Sequence, residues 1–198
     1  MKPYVITISR QFGSLGRSIA SELSKTLGIN FYDRDIVEET SKRLGLPVST
    51  ISEKEEMANT KYSKRIYPLG LGVPKLQDEI FMVQKNIIQD LANKESCIIV
   101  GRCAESILAY KERTMHVHIY APYMQRFQNC TEKLGMDEAT AKKMIKEVDF
   151  SRNLYRNHYC PEIKNEMSNR DIMLDSSRFG VEGSAEILAM IAKKTFEL

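Results

Sequence analysis

Residues Gln11-Phe12-Gly13-Ser14-Leu15-Gly16-Arg17-Ser18 have the length and register of the pattern GxxxxGK[ST], with Gln at the first glycine and Arg at the lysine. In such a turn consecutive backbone N–H groups and the N-terminus of the following helix point at one spot, which favours an anion. Gly13 and Gly16 permit positive φ and close backbone approach. Arg17 can fork onto phosphate oxygens, and the Ser18 hydroxyl stands where a Mg²⁺ ligand belongs. The alternative is a plain strand-to-helix turn whose glycines serve geometry alone. A planar guanidinium is not the compact point charge that follows a transferring phosphoryl group, so these residue types favour phosphate binding more directly than turnover.

A second group of charges lies far along the chain. Asp149, Arg152 and Arg156 stand at i, i+3 and i+7, so on a helix they share one face, and Asp149 can hold Arg152 in place. Two cations on one face attract anions, and arginines brought in by a closing segment would supply charge and exclude water. The alternative is a solvated helix laced by local ion pairs. Cys97, Cys103, Cys130 and Cys160 form no CxxC pair, which predicts reduced thiols. His116 and His118 share one strand face without a closed metal-ligand set.

The elements that must position these groups alternate. Tyr4 to Ser9 is apolar on both faces and predicts a central parallel strand. Ser18 to Leu27 predicts an amphipathic helix closed by Gly28, followed by a short extended piece at 29–32 and a helix over 33–43. From Val48 to about Lys75 the pattern weakens, with glycine and proline punctuation at 68–74 that predicts an insertion or mobile arm. Helical periodicity returns over 77–93, then strands are predicted at 97–100 and 116–120 and a helix over 123–134. A long charged helix over 137–159, a last strand at 172–174 and a helix over 183–194 complete the chain. Alternation of this kind predicts a parallel sheet wrapped on both faces, with ligands at the carboxyl ends of the strands.

Bulk properties bound the function. The 198 residues predict one domain, and 29 Lys plus Arg against 26 Asp plus Glu leave a formal charge of only +3. That balance argues against a basic nucleic-acid tail, and no interleaving of aromatic and basic residues suggests a stacking platform. With 42% hydrophobic and 28% charged residues, the chain reads as an ordinary globular domain. No apolar run approaches the roughly 18 to 20 residues of a membrane span, and Met1 to Tyr4 leads straight into a strand. The expectation is a cytoplasmic protein with neither membrane nor nucleic acid as partner.

Six segments in this order resemble the cytidylate kinase-like family, a branch of the P-loop nucleoside monophosphate kinases. They are Ile8 to Arg17, Phe31 to Asp35, Ile99 to Ala104, Val117 to Pro122 with Arg126, Val148 to Arg152 with Tyr155, and Asp171 to Ser177. The resemblance implies a three-layer α/β/α P-loop core with a small monophosphate-binding arm at about 46–76 and a helical lid at about 137–170, all in one domain over 1–198. It also implies ATP and Mg²⁺ as cofactors, CMP or dCMP as acceptor, and a monomer or homodimer. In that frame Arg102 corresponds to an acceptor-phosphate arginine and Arg126 faces the donor nucleotide. Asp33 and Arg34 then contact the acceptor, Asp33 accepting from a base amino group and Arg34 binding phosphate; the alternative is a helix N-cap beside an exposed charge. Arg17, Arg152 and Arg156 are the catalytic candidates. Two other functions stay open: a non-catalytic nucleotide-binding or regulatory protein, and a kinase of another small metabolite.

Overall fold

The computed structural model describes residues 2–57, 75–161 and 169–198. Among them five strands form one all-parallel sheet in the order β2-β3-β1-β4-β5. The strands are β1 (Val5–Arg10), β2 (Asn30–Tyr32), β3 (Cys97–Val100), β4 (Thr114–Tyr120) and β5 (Ile172–Asp175). The helices are α1 (Gly16–Leu27), α2 (Arg34–Leu44), α3 (Val48–Met57), α4 (Lys75–Lys94), α5 (Ala104–Ile107), α6 (Tyr123–Gln128), α7 (Glu138–Tyr159) and α8 (Ser176–Phe196). A π-helical turn over Asn129–Lys133 continues α6. The middle of the predicted arm, 58–74, and the stretch 162–168 of the predicted lid lie outside the described residues.

Both faces of the sheet are buried because alternate residues of the central strands serve different layers. Ile6 and Ile8 of β1, with Ile98 and Val100 of β3, pack with Ile19 and Leu23 of α1 and Leu188 and Phe196 of α8. Val5, Cys97 and Ile99 face the other way, onto Ile36 of α2 and Ile87, Ile88 and Ala92 of α4. The register Ile6↔Ile98 and Ile8↔Val100 brings β1 and β3 to a common end. Asp33, Gly101 and Gln11 therefore leave the sheet close together.

Local chemistry sets the helix ends. Gly28 and Gly45 close α1 and α2 at φ 65 in each case. Asp137 caps α7 by accepting from the Thr140 N–H at 3.0 Å, and Asp175 caps α8 by accepting from the Ser177 N–H at 2.9 Å. The last helix begins at Ser176, earlier than the periodicity predicts, because Gly180 interrupts it with φ 66 and ψ −165. Only the stretch beyond that break has the uninterrupted apolar pattern.

Candidate functional site

A cavity of about 1240 Å³ opens at the carboxyl ends of β1, β2 and β3. Its walls come from the β1–α1 turn, the start of α2, the loop after β3, and α7. The sequence-predicted residues Gln11, Phe12, Gly13, Leu15, Gly16, Arg17, Ser18, Asp33, Arg34, Arg102, Asp149, Arg152 and Arg156 all line it. Ser14 is turned inward instead: its hydroxyl donates to the Gln11 carbonyl at 2.8 Å and to the Ile119 carbonyl at 3.2 Å. Arg126 lies behind the turn, where its Nη1 donates to the Phe12 carbonyl at 3.2 Å.

The β1–α1 turn has the backbone of an anion cradle. Gly13 takes φ +77, and a side chain there would press to 2.8 Å of the Arg126 carbonyl and 2.9 Å of the Cys130 sulfur. Leu15 adopts φ 59 before α1 starts at Gly16, and no side chain caps the first N–H groups of that helix. One anion already meets the turn. Asp149 of α7 accepts the Phe12 N–H on Oδ1 at 2.7 Å and binds Arg126 Nη1 through Oδ2 at 2.5 Å. The expected pairing of Asp149 with Arg152 is looser, at 4.0 Å, because Arg126 takes the carboxylate first. Arg152 instead donates to the Arg10 carbonyl at 3.0 Å and sets its guanidinium 6.0 Å from the Phe12 ring.

Asp33 is the centre of the second half. Its side chain is 9% exposed, and Oδ1 accepts from Arg102 Nη1 at 3.1 Å while Oδ2 meets Arg17 Nε at 3.1 Å. Arg10 Nη2 stands 3.8 Å from Oδ1. Three guanidinium groups thus meet on one carboxylate. Asp33 occupies the N-cap position of α2, but its side chain makes no cap hydrogen bond there and is turned to the arginines instead. Arg34 is exposed at the start of α2, on the cavity wall.

Two glycines make room for Arg10. A side chain at Gly101, which has φ +77, would sit 2.1 Å from Arg10 Nη1, and one at Gly16 would sit 2.7 Å from Arg10 Cβ. Arg102 and Cys103 then continue in the left-handed region, with φ 54 and 55. Non-glycine residues seldom hold that conformation unless the surroundings impose it, and such strain gathers at functional sites. Burial, reinforced by the Arg152 charge, lowers the Arg10 pKa, and Asp33 draws it back up. Burial likewise lowers that of Arg152, against the pull of Asp149 and Asp33.

Arg10 is the main residue that reasoning from motifs leaves without a role. Its position as the last residue of β1 was a sufficient signal, since ligands collect at strand ends. His118 is another. It lines the cavity and shares a 2.9 Å hydrogen bond between its Nδ1 and Ser9 Oγ. Burial, followed by the charges of Arg170, Arg156 and Arg152, pushes its pKa down to about 3, so it is a neutral imidazole at physiological pH.

For a metal, no group of three or more His, Cys, Asp or Glu side chains that could hold one occurs among the described residues. Ser18, exposed in the first turn of α1 and on the cavity wall, offers one hard oxygen donor. That donor set fits Mg²⁺, which keeps several waters and is bound largely through substrate phosphates. No helix among the described residues is long and apolar enough to cross a membrane.

Solved structures repeat the fold. An uncharacterized protein from Eubacterium ventriosum ATCC 27560 is 26% identical, with a TM-score of 0.72 over 96% of this chain and 98% of that one. Shikimate kinase from Acinetobacter baumannii in complex with shikimate is 13% identical, with a TM-score of 0.52 over 97% and 94% of the two chains. Shikimate kinase from Aquifex aeolicus vf5 is 22% identical, with a TM-score of 0.51 over 97% and 98%. These likenesses, with the all-parallel sheet, identify an α/β P-loop fold. Comparison with curated proteins gave no match. The model of the cytidylate kinase-like family, however, matches residues 5–178, nearly the whole length, and the chain belongs to that family.

Proposed function

We propose that the protein transfers the γ-phosphoryl group of ATP to a nucleoside monophosphate, with CMP or dCMP as the acceptor. The observation that carries this reading is the convergence of Arg10, Arg17 and Arg102 on Asp33 beside the anion cradle. Transfer between two phosphate groups asks for little covalent chemistry; it asks that two anions be held in line and their charge be spread over fixed cations. Membership of a cytidylate kinase-like family supports a small-molecule kinase. Both Asp33 oxygens already face guanidinium groups, so a hydroxyl acceptor seeking a base there would compete with arginines. A phosphate acceptor would instead gain them.

In this reading the turn 11–18 receives the donor phosphates, with the Arg17 guanidinium forking onto their oxygens. The Ser18 hydroxyl would hold Mg²⁺, which would supply positive charge to offset that of the phosphates. Arg102 and Arg34 take the acceptor phosphate, joined by Arg10. Asp33 holds the arginines in place. Arg126 reaches the donor side through Asp149, and α7 serves as the core of a lid at about 137–170. Lid and arm, at about 46–76, belong to one domain. When the lid closes, Arg152 and Arg156 complete the positive wall and water is excluded.

A crystal soaked with a non-hydrolysable ATP analogue and CMP tests the assignment. The expected result is a triphosphate around Gly13 to Ser18 and a monophosphate against Arg102 and Arg10. A monophosphate bound elsewhere, with the arginines still on Asp33, would contradict it. The ion pair between Arg17, 54% exposed, and Asp33 also favours a second reading, a nucleotide-binding protein without turnover. Saturable binding without ADP release, together with activity gained in Arg17→Lys, would establish that alternative.

A further inference from the structure

Cys103 and Cys160 are far apart in sequence and adjacent in space. Cys103 follows Arg102 in the loop after β3; Cys160 is the residue on which α7 ends. Both are buried, at 6% and 1% exposure, in one small cluster walled by Phe81, Tyr155 and Tyr159. Within it each is a free thiol. The walls are aromatic: the Phe81 and Tyr159 rings stack at 4.1 Å, and the Tyr155 and Tyr159 centroids lie 4.7 Å apart. Cys97 and Cys130 belong to other clusters. Cys103 alone of the four lines the cavity, so a small reagent can approach it from that side.

We propose that Cys103 and Cys160 form a reversible thiol–disulfide site, whose bond would pin the end of α7 to the loop that carries Arg102. The oxidant is a low-molecular-weight disulfide of the glutathione class. Cys103 loses its proton to solvent, and its thiolate attacks one sulfur of the reagent; that S–S bond breaks, one small thiolate leaves, and a mixed disulfide forms on Cys103. Cys160 then loses its proton and attacks the Cys103 sulfur, releasing the second small thiolate. Two protein thiols have lost two electrons and two protons, and one disulfide has become two small thiols.

The neighbouring Cys160 thiol, followed by burial, raises the Cys103 pKa well above the usual thiol range, so exchange is slow at neutral pH and quickens as pH rises. Asp149, Arg152 and Arg156 lie on the helix that the bond would fix. The site itself stands on the cysteine geometry; its effect on turnover rests on the kinase reading above.

The test exposes the full chain to a graded series of oxidised and reduced glutathione at mildly alkaline pH, traps remaining thiols by alkylation, and maps peptides by mass spectrometry. The expected result is the loss of two hydrogens, one Cys103–Cys160 cross-linked peptide, full reversal by reductant, and slower hydrogen exchange in α7. Cys160→Ser should stop at the mixed disulfide, while Cys97→Ser and Cys130→Ser should still form the bond. No cross-link under the most oxidising ratio, or a cross-link through Cys97 or Cys130, would overturn the proposal. If the kinase reading holds, the oxidised protein should turn over at least about tenfold more slowly, and undiminished turnover with the cross-link complete would refute the pinning. Complete absence of turnover in the reduced protein would count against the kinase reading alone, since the cross-link is read by mass.

Discussion

Asp33 is one carboxylate shared by three arginines, and its replacement separates positioning from simple charge. In Asp33→Asn the guanidinium groups lose their common anchor while the cavity becomes more positive. Turnover should fall about 10²-fold, the scale of losing one preorganised electrostatic contact, whereas inorganic pyrophosphate should bind as well or better by calorimetry. A parallel loss of both would mean that Asp33 serves only to hold the fold. His118 supplies a second expectation, this time in pH. Its folded pKa of about 3 lies below the unfolded value near 6.5, so between these limits the unfolded chain binds more protons. This residue's contribution to stability is present above about pH 6.5 and is lost as pH falls toward 3. An NMR titration should therefore find the His118 imidazole neutral at pH 5; protonation midway near pH 6.5 would contradict the burial argument. Neither behaviour was legible in the sequence, where Asp33 before a helix reads as a cap and His118 as half of an apolar strand.

At the scale of elements, the glycine turn and the strand ends were readable because their signals are local. A short apolar strand, two glycines and an amphipathic helix place the cradle without knowledge of the rest. The partners of that cradle were not readable, because they arrive from distant segments. Arg126 binds the Phe12 carbonyl and is held by Asp149, which also takes the Phe12 N–H. Spacing alone pairs Asp149 with Arg152, its neighbour at i+3, and cannot register a competitor from α6. Asp149→Ala should cost about 2 kcal/mol, since it leaves the Phe12 N–H without its acceptor and Arg126 without its carboxylate, and a thermal melt will measure it. The Gly101→Ala variant probes the loop after β3. Its methyl would meet the flexible end of Arg10 at 2.1 Å, and φ +77 is unfavourable for alanine. A stability loss of about 1–2 kcal/mol should accompany a larger fall in turnover, because Arg10 is driven from Asp33. Unchanged kinetics would show that Arg10 has no part in the site.

The whole molecule was legible in outline: alternating strands and helices predicted the parallel sheet, and its order β2-β3-β1-β4-β5 sets the cradle and the Arg102 loop on adjacent strands. A formal charge of +3 is uninformative by itself. What matters is that Arg10, Arg17, Arg34, Arg102, Arg152 and Arg156 line one cavity. The central claim is that these cations serve phosphoryl transfer to a nucleoside monophosphate. The measurement that tests it most directly is ADP release, coupled to an indicator reaction, from Mg–ATP with CMP, dCMP, UMP, AMP and GMP in turn. Acceptor-dependent turnover with CMP or dCMP preferred is the expected result, together with its loss in Arg102→Ala. Folded protein that releases no ADP with any of the five acceptors would contradict it.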